Sequence, residues 1–328
     1  MRLLRILSAL ASGAANAAAR ERIPVGGQAV IEGVLMKGPT KWGLAVREPG
    51  GGICLKSWPA SAALNRGIWK LPVVRGFASM AEMMRVGMRA LSLSAEISLG
   101  EEEKITPFEM AASVALGIAA VVAAFIAFPM FVSEYAAKTF NLSHVWKNLA
   151  EGLVRGAVFV CYVAAIGMWK DIRRVFAYHG AEHKTINAYE HGDEMTPDAV
   201  SRYSRIHRRC GTSFLLVVIV VSILVFSLVG GGGILWRVGS RVVLLPVVIG
   251  VSYEFIKGAS NSDTWGRICI MPALSLQYIT TKDPSPDQIE VAIRALDLAL
   301  DLQKDNSDIT GGAVNGSVEQ ITGDREKL

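Results

Sequence analysis

The chain has 328 residues, is 51% hydrophobic and only 19% charged, and carries a formal net charge of +5. That balance is too apolar for an ordinary soluble protein of this size and favours a membrane class. Four cysteines (Cys54, Cys161, Cys210 and Cys269) form no close pair or CxxC, which excludes a disulfide framework, and no interleaved aromatic and basic pattern points to nucleic acid.

Residues 1–23 resemble a signal peptide, with Arg2 and Arg5 before an apolar stretch and small residues at Ala17 to Ala19. Ser8, Ser12, Gly13 and Asn16 dilute that stretch, so an uncleaved amphipathic start is expected. Residues 24–107 read as a small cytoplasmic strand-and-helix domain. Short strands over Val25 to Pro59 include Gly43 to Val46 and Ile53 to Trp58, separated by the turn signal Pro49-Gly50-Gly51-Gly52. Gly26-Gly27-Gln28 lacks the ending of a phosphate loop and reads as a tight strand entry. A helix follows, with Phe77, Met80, Met84, Met88 and Leu91 on one side and Glu82, Arg85 and Arg89 on another. Its Met-rich side is expected to pack on the sheet or lie on a membrane.

Residues 108–257 read as four membrane spans. Met110 to Val132 and Cys210 to Trp236 contain no charged residue and are long enough to cross about 30 Å of hydrocarbon. Gly156 to Trp169 and Val242 to Tyr253 are shorter and span only if Arg155, Lys170, Arg241 and Glu254 snorkel to the interfaces. Glu151 and Arg155, four apart, can pair on the second helix. A turn at Gly230 to Gly233 joins the last two spans. Basic residues set the orientation: the segment Lys170 to Arg209 holds eight of them, whereas Ser133 to Gly152 holds only Lys138 and Lys147. The central loop and both termini are therefore expected on the cytoplasmic side, in a bacterial inner membrane, with the bilayer and its anionic headgroups as partners alongside unidentified proteins.

That central loop, 170–210, has the composition of a helical hairpin. Ile172, Phe176, His179, His183, Ile186 and Glu190 recur on one helical face, so Lys170 to Glu190 is expected to continue the second span. His191-Gly192-Asp193 breaks it. Thr196 and Pro197 then start a second helix whose face carries Val200, Tyr203, His207 and Cys210. Residues 258–304 form a cytoplasmic segment in which Ser285-Pro286-Asp287-Gln288 is a capping box, opening a helix with the stripe Ile289, Ile293, Leu296 and Leu300. The polar tail, 305–328, is expected to be disordered.

Four of the five histidines lie between Tyr178 and His207. His179 and His183 are four apart, about 6 Å along a helix axis, which lets both bind one metal ion, and Glu182 beside them completes an H-x-x-E-H pattern. The third ligand is expected to be His207, placed opposite by the hairpin, with Glu254 as the alternative; Glu190 lies about 10 Å along the helix from His183, too far for one ion. Cys210 reads as a packed thiol rather than a ligand, and Arg202, Arg205, Arg208 and Arg209 as orienting charges rather than a phosphate site. In the first reading a divalent ion such as zinc is held by His179, His183 and His207, and Glu182 is the general base of a hydrolase. In the second the histidines are core residues bonded to backbone, tyrosine or Glu182, and the hairpin of a non-enzymatic scaffold protein binds partners or lipid headgroups.

The segments GGQAVIEGVLMKGP (Gly26 to Pro39), YHGAEHKTINAYE (Tyr178 to Glu190), RCGTSFLL (Arg209 to Leu216), YEFIKGAS (Tyr253 to Ser260) and TTKDPSPDQIEVAI (Thr280 to Ile293) resemble, in order, the YqhQ-like family of bacterial membrane proteins. The resemblance covers about Pro24 to Leu300. It implies a membrane protein of unknown function, once labelled a predicted metal-dependent enzyme, and carries over no established catalytic residue.

Overall fold

The computed structural model describes residues 23, 25–61, 67–99, 107–229, 233–260, 265–301 and 319–320. The expected N-terminal segment, the glycine turn at 230–232 and nearly all of the tail lie outside them. Of the tail only Glu319–Gln320 is described, a short strand (β5) parallel to β4.

Four antiparallel strands form a meander: β1 (Gly26–Val30), β2 (Gly33–Lys37), β3 (Lys41–Arg47) and β4 (Ile53–Pro59). The Pro-Gly-Gly-Gly signal does turn β3 into β4, with register pairs Trp42↔Trp58 and Val46↔Cys54. Alternate residues feed two cores. Leu35, Trp42, Leu44 and Val46 face helix α1 (Val74–Leu99), while Val34, Met36, Ala45 and Leu55 face two helices from much later in the chain. These are α5 (Lys170–His191) and α11 (Pro286–Leu300), the latter opened by the expected Ser285/Gln288 capping box. Strands, central loop and C-terminal helix thus share one core.

Helix α1 packs on the sheet by a face other than its Met-rich side, which leaves the membrane alternative for that side. Met83, Val86, Ala90, Leu93 and Ile97 meet the strands, while Phe77, Met84, Met88 and Leu91 are exposed. The helix comes close to β1 at Gly87, where a Cβ would lie 2.1 Å from Gln28 Nε2.

Four helical stretches are long and apolar enough to cross a membrane: Ala112–Phe140, His144–Ile166, Gly211–Leu228 and Val238–Ser260. The first is built from α2 (Pro107–Val122), a π-helical turn (Ala123–Ala127) and α3 (Phe128–Phe140). The others lie in α4 (His144–Ile166), α7 (Gly211–Leu228) and α8 (Ile234–Ser260). Two expected boundaries need correction. The second stretch starts at His144 rather than Gly156, and α8 extends well beyond Val242 to Tyr253 at both ends. Charges expected to flank these helices lie inside them because they neutralise one another: Glu151, 3% exposed, accepts from Arg155 at 2.6 Å and from Arg241 at 2.7 Å. Arg155 Nε also donates to Phe125 O in the π-helical turn at 3.0 Å.

The central segment also departs from a two-helix hairpin. α4 ends at Ile166, and Trp169 is extended before α5 begins, so α5 is not a continuation of α4. After Thr196, whose Oγ1 caps Ala199 N at 3.3 Å, the second arm is helical only over α6 (Pro197–Ser201). The chain then runs irregularly to Cys210, because side chains of α5 take its backbone carbonyls: Asn187 Nδ2 donates to Ser204 O at 2.7 Å and to Ile206 O at 3.1 Å. A face through Val200, Tyr203, His207 and Cys210 therefore does not form. Beyond α8, an apolar pair that the sequence reading did not foresee, α9 (Trp265–Ser275) and α10 (Gln277–Thr280), packs Ala273 among Val217, Val221 and Val248.

Candidate metal centre

Three segments that are distant in sequence meet at the middle of α5. The first is α5 itself, which buries Tyr178, Glu182, His183 and Ile186 and stops at Gly192, where φ is +84°. The second is the extended chain after α10, which crosses α5 at Gly180. A Cβ there would sit 2.0 Å from Lys282 O, so only glycine admits the crossing, and Lys282 N bonds Phe176 O at 2.8 Å. The third is the irregular segment 202–210 leading into α7.

The crossing chain brings Thr280 O to 2.9 Å from His179 Nδ1, and the irregular segment brings Arg205 O to 2.6 Å from His183 Nδ1. A carbonyl only accepts, so the hydrogen bonds assign a proton to Nδ1 in each ring, and Nε2 is the ring position left over for another partner. His179 Nε2 lies 3.2 Å from Cys210 Sγ. His183 Nε2 is buried and has no hydrogen-bond partner. The two rings are 4.4 Å apart between centroids. One ligand atom each from His179, His183 and Cys210 falls within 4.8 Å of the others.

Cys210 is the N-cap of α7, with Thr212 N at 3.4 Å from its sulfur. Burial alone would push its thiol up, but the His179 and His183 imidazoles outweigh that and hold it well below the ordinary thiol range. Burial likewise opposes a charged His179, yet the sulfur, Glu182 and the Thr280 carbonyl raise that ring to about 9. Glu182, 4% exposed, keeps one oxygen without a partner; burial pushes its carboxyl up, against the pull of His183 and His179.

Of the residues expected to form the site, the structure brings together His179, His183 and Glu182. His207 lies next to them, its ring centroid 5.7 Å from that of His183, but its Nε2 faces Glu190 Oε1 at 3.5 Å, outside the three-ligand group. Its main chain is clamped at both ends by the buried Gln277, through His207 N to Oε1 at 2.8 Å and Nε2 to His207 O at 2.7 Å. Glu254 is engaged elsewhere, by Arg75 Nε at 2.6 Å where α1 meets α8. The candidate ligand that sequence reasoning set aside as a packed thiol is Cys210. Its signal was positional: a cysteine occupies the N-cap of a charge-free helix, a place usually held by Ser, Thr, Asp or Asn.

Residues 71–302 match the family model described as "Protein of unknown function (DUF1385)". The chain is also 34% identical over 296 residues to "Uncharacterized protein YqhQ" of Bacillus subtilis (strain 168), covering 85% of this chain and 92% of that one. No solved structure matches.

Proposed function

The chain belongs to the DUF1385 family, and from that premise we propose that it is an integral protein of the bacterial cytoplasmic membrane carrying a hydrolytic divalent-metal centre at its cytoplasmic face. The observation that carries the metal reading is the buried, unpartnered Nε2 of His183, aimed with His179 Nε2 towards Cys210 Sγ. Buried polar atoms are normally satisfied, and an imidazole whose Nδ1 is fixed by a carbonyl is oriented as a metal ligand. The donor set fits zinc: two imidazoles and a thiolate are three of the four ligands that a tetrahedral ion takes, as in open catalytic sites. The eight basic residues of Lys170 to Arg209, against two in Ser133 to Gly152, support the cytoplasmic placement.

When bound, the ion would acidify a water molecule. The remaining work falls to the chain. The Thr280 and Arg205 carbonyls hold both rings in one tautomer, and Gln277 fixes the irregular segment that carries Cys210. The unpartnered oxygen of Glu182 is available to receive a proton, and burial by β1 and α11 excludes bulk water.

The test is elemental analysis of the full chain purified without chelator. About one zinc per chain is expected. Cys210→Ser should lose it, whereas Glu182→Gln should keep it and lower hydrolytic activity by roughly 10² to 10⁴. Folded, metal-free wild type would overturn the metal reading. A second reading rests on the 3.2 Å His179–Cys210 contact at a helix N-terminus, the arrangement of a covalent thiol nucleophile and its base. Metal-free protein whose Cys210 alkylates faster than a free thiol at neutral pH would favour it.

A further inference from the structure

Beside the candidate centre lies a second feature. A cavity of about 330 Å³ opens on the far side of His207, lined by Asn187 and Glu190 of α5, by His207, Arg208 and Arg209, and by Ser260 at the end of α8. The His207 ring is part of its lining and lies 5.7 Å from the His183 ring between centroids. Its depth in the membrane follows from the helices: Arg209 precedes the start of α7 by two residues and Ser260 is the last residue of α8, so the cavity sits at one rim of the helices read as spans.

The charges within it are unequal. Arg209 is paired with Glu190, whose carboxyl burial would raise but His207 and Arg209 hold below the ordinary range. The half-buried Arg208 has no ion-pair partner among the described residues, while its carbonyl receives Ser260 Oγ at 3.4 Å, which ties the residue to the cavity wall. The positive end of α7 adds to the same field. A larger cavity of about 750 Å³ at the other end of α5 also contains two arginines, but there Arg174 is held by Glu32 and Arg47 by Glu290, so neither is free to receive an anion.

We infer that the smaller cavity is the substrate-binding antechamber of the metal centre and takes a phosphoryl group, received by the Arg208 guanidinium at the membrane rim. This rests on the metal-hydrolase reading. The reasons are chemical: a guanidinium fork matches phosphate oxygens, the cavity holds a phosphate with a few attached atoms, and His207, which lines it, neighbours His183 of the cluster. Two sources offer this chemistry, a lipid headgroup and a soluble phosphate ester.

Binding to the full chain in a maltoside detergent tests it, with glycerol 3-phosphate as the soluble probe and phosphatidate in phosphatidylcholine mixed micelles as the lipid probe. Saturable binding of either supports the inference, and the probe that binds identifies the source. Arg208→Gln should weaken binding about ten- to a hundredfold, with Arg208→Lys in between, whereas exposed Arg202→Gln outside the cavity should leave it unchanged. No saturable binding of either probe, or equal losses in Arg202→Gln and Arg208→Gln, would overturn it. Zinc measured on the same samples separates the two ideas: phosphate bound without metal sinks the hydrolase reading and with it the antechamber role, leaving an anion site, whereas metal without phosphate sinks only the antechamber.

Discussion

The cluster Glu151–Arg155–Arg241 and the cluster His179–His183–Cys210 with Glu182 are both buried and both hold charge, but they close their hydrogen bonds differently. In the first, both carboxylate oxygens are taken by guanidinium groups, and Arg155 also reaches Phe125 O. Arg241 Nη1 alone is left over, and that guanidinium lies 5.7 Å from the Phe226 ring centre. In the second, protons are pinned on the outward Nδ1 atoms while Nε2 of His183 and an oxygen of Glu182 remain unpartnered inside. Burial of charge is therefore common to structure and function here. The distinguishing mark is whether the unspent lone pairs converge on a point that a cation could fill.

Breaking the ionic cluster should have the largest effect on stability. Glu151→Ala strands two arginines among apolar helices and should cost about 3 to 5 kcal/mol, read as a lower melting temperature in detergent, while any folded fraction keeps its zinc. A benign Glu151→Ala would show that this cluster is not a structural lock. Gly180→Ala comes next. Its Cβ must displace the Lys282 carbonyl, costing about 1 to 3 kcal/mol, and because the same chain carries Thr280 O away from His179, zinc affinity should fall about 10- to 100-fold. Unchanged affinity would mean that the Thr280 contact does not orient the ring.

His183→Ala sharpens the contrast from the other side. Loss of its bond to Arg205 O should cost only about 1 kcal/mol in metal-free protein, yet zinc should be lost, since two ligands hold an ion far more weakly than three. The smallest effect is expected at Asp297, a carboxyl with neither a bidentate partner nor converging ligands. Burial raises it to about 6 against the pull of Arg294. Its folded value lies above its unfolded one, so its contribution to stability is present below the unfolded value, near pH 4, and is lost as pH rises through about 6. Asp297→Asn should therefore gain about 1 kcal/mol over wild type at pH 8, after allowance for screening, and little at pH 4. Melting curves at the two pH values check it.

Much of this arrangement follows from local sequence. The charge-free runs gave the first and third membrane-length helices, Pro49-Gly50-Gly51-Gly52 turned β3 into β4, Ser285 and Gln288 capped α11, and four-residue spacing put His179 and His183 on one helix face. Each is a property of a few neighbouring residues, because helical period, turn geometry and capping act over one or two turns. The rest was decided by partners far along the chain. Glu151 could enter α4 only because Arg241, ninety residues on, meets it. Arg205 and Thr280 chose the histidine tautomers, Asn187 unwound the expected second helix, and Cys210 stands beside the two histidines where His207 was expected. Charge neutralisation and hydrogen-bond satisfaction are contacts in space. Periodicity along the sequence fixes which face a side chain occupies, and only the packing of distant segments fixes what stands opposite it.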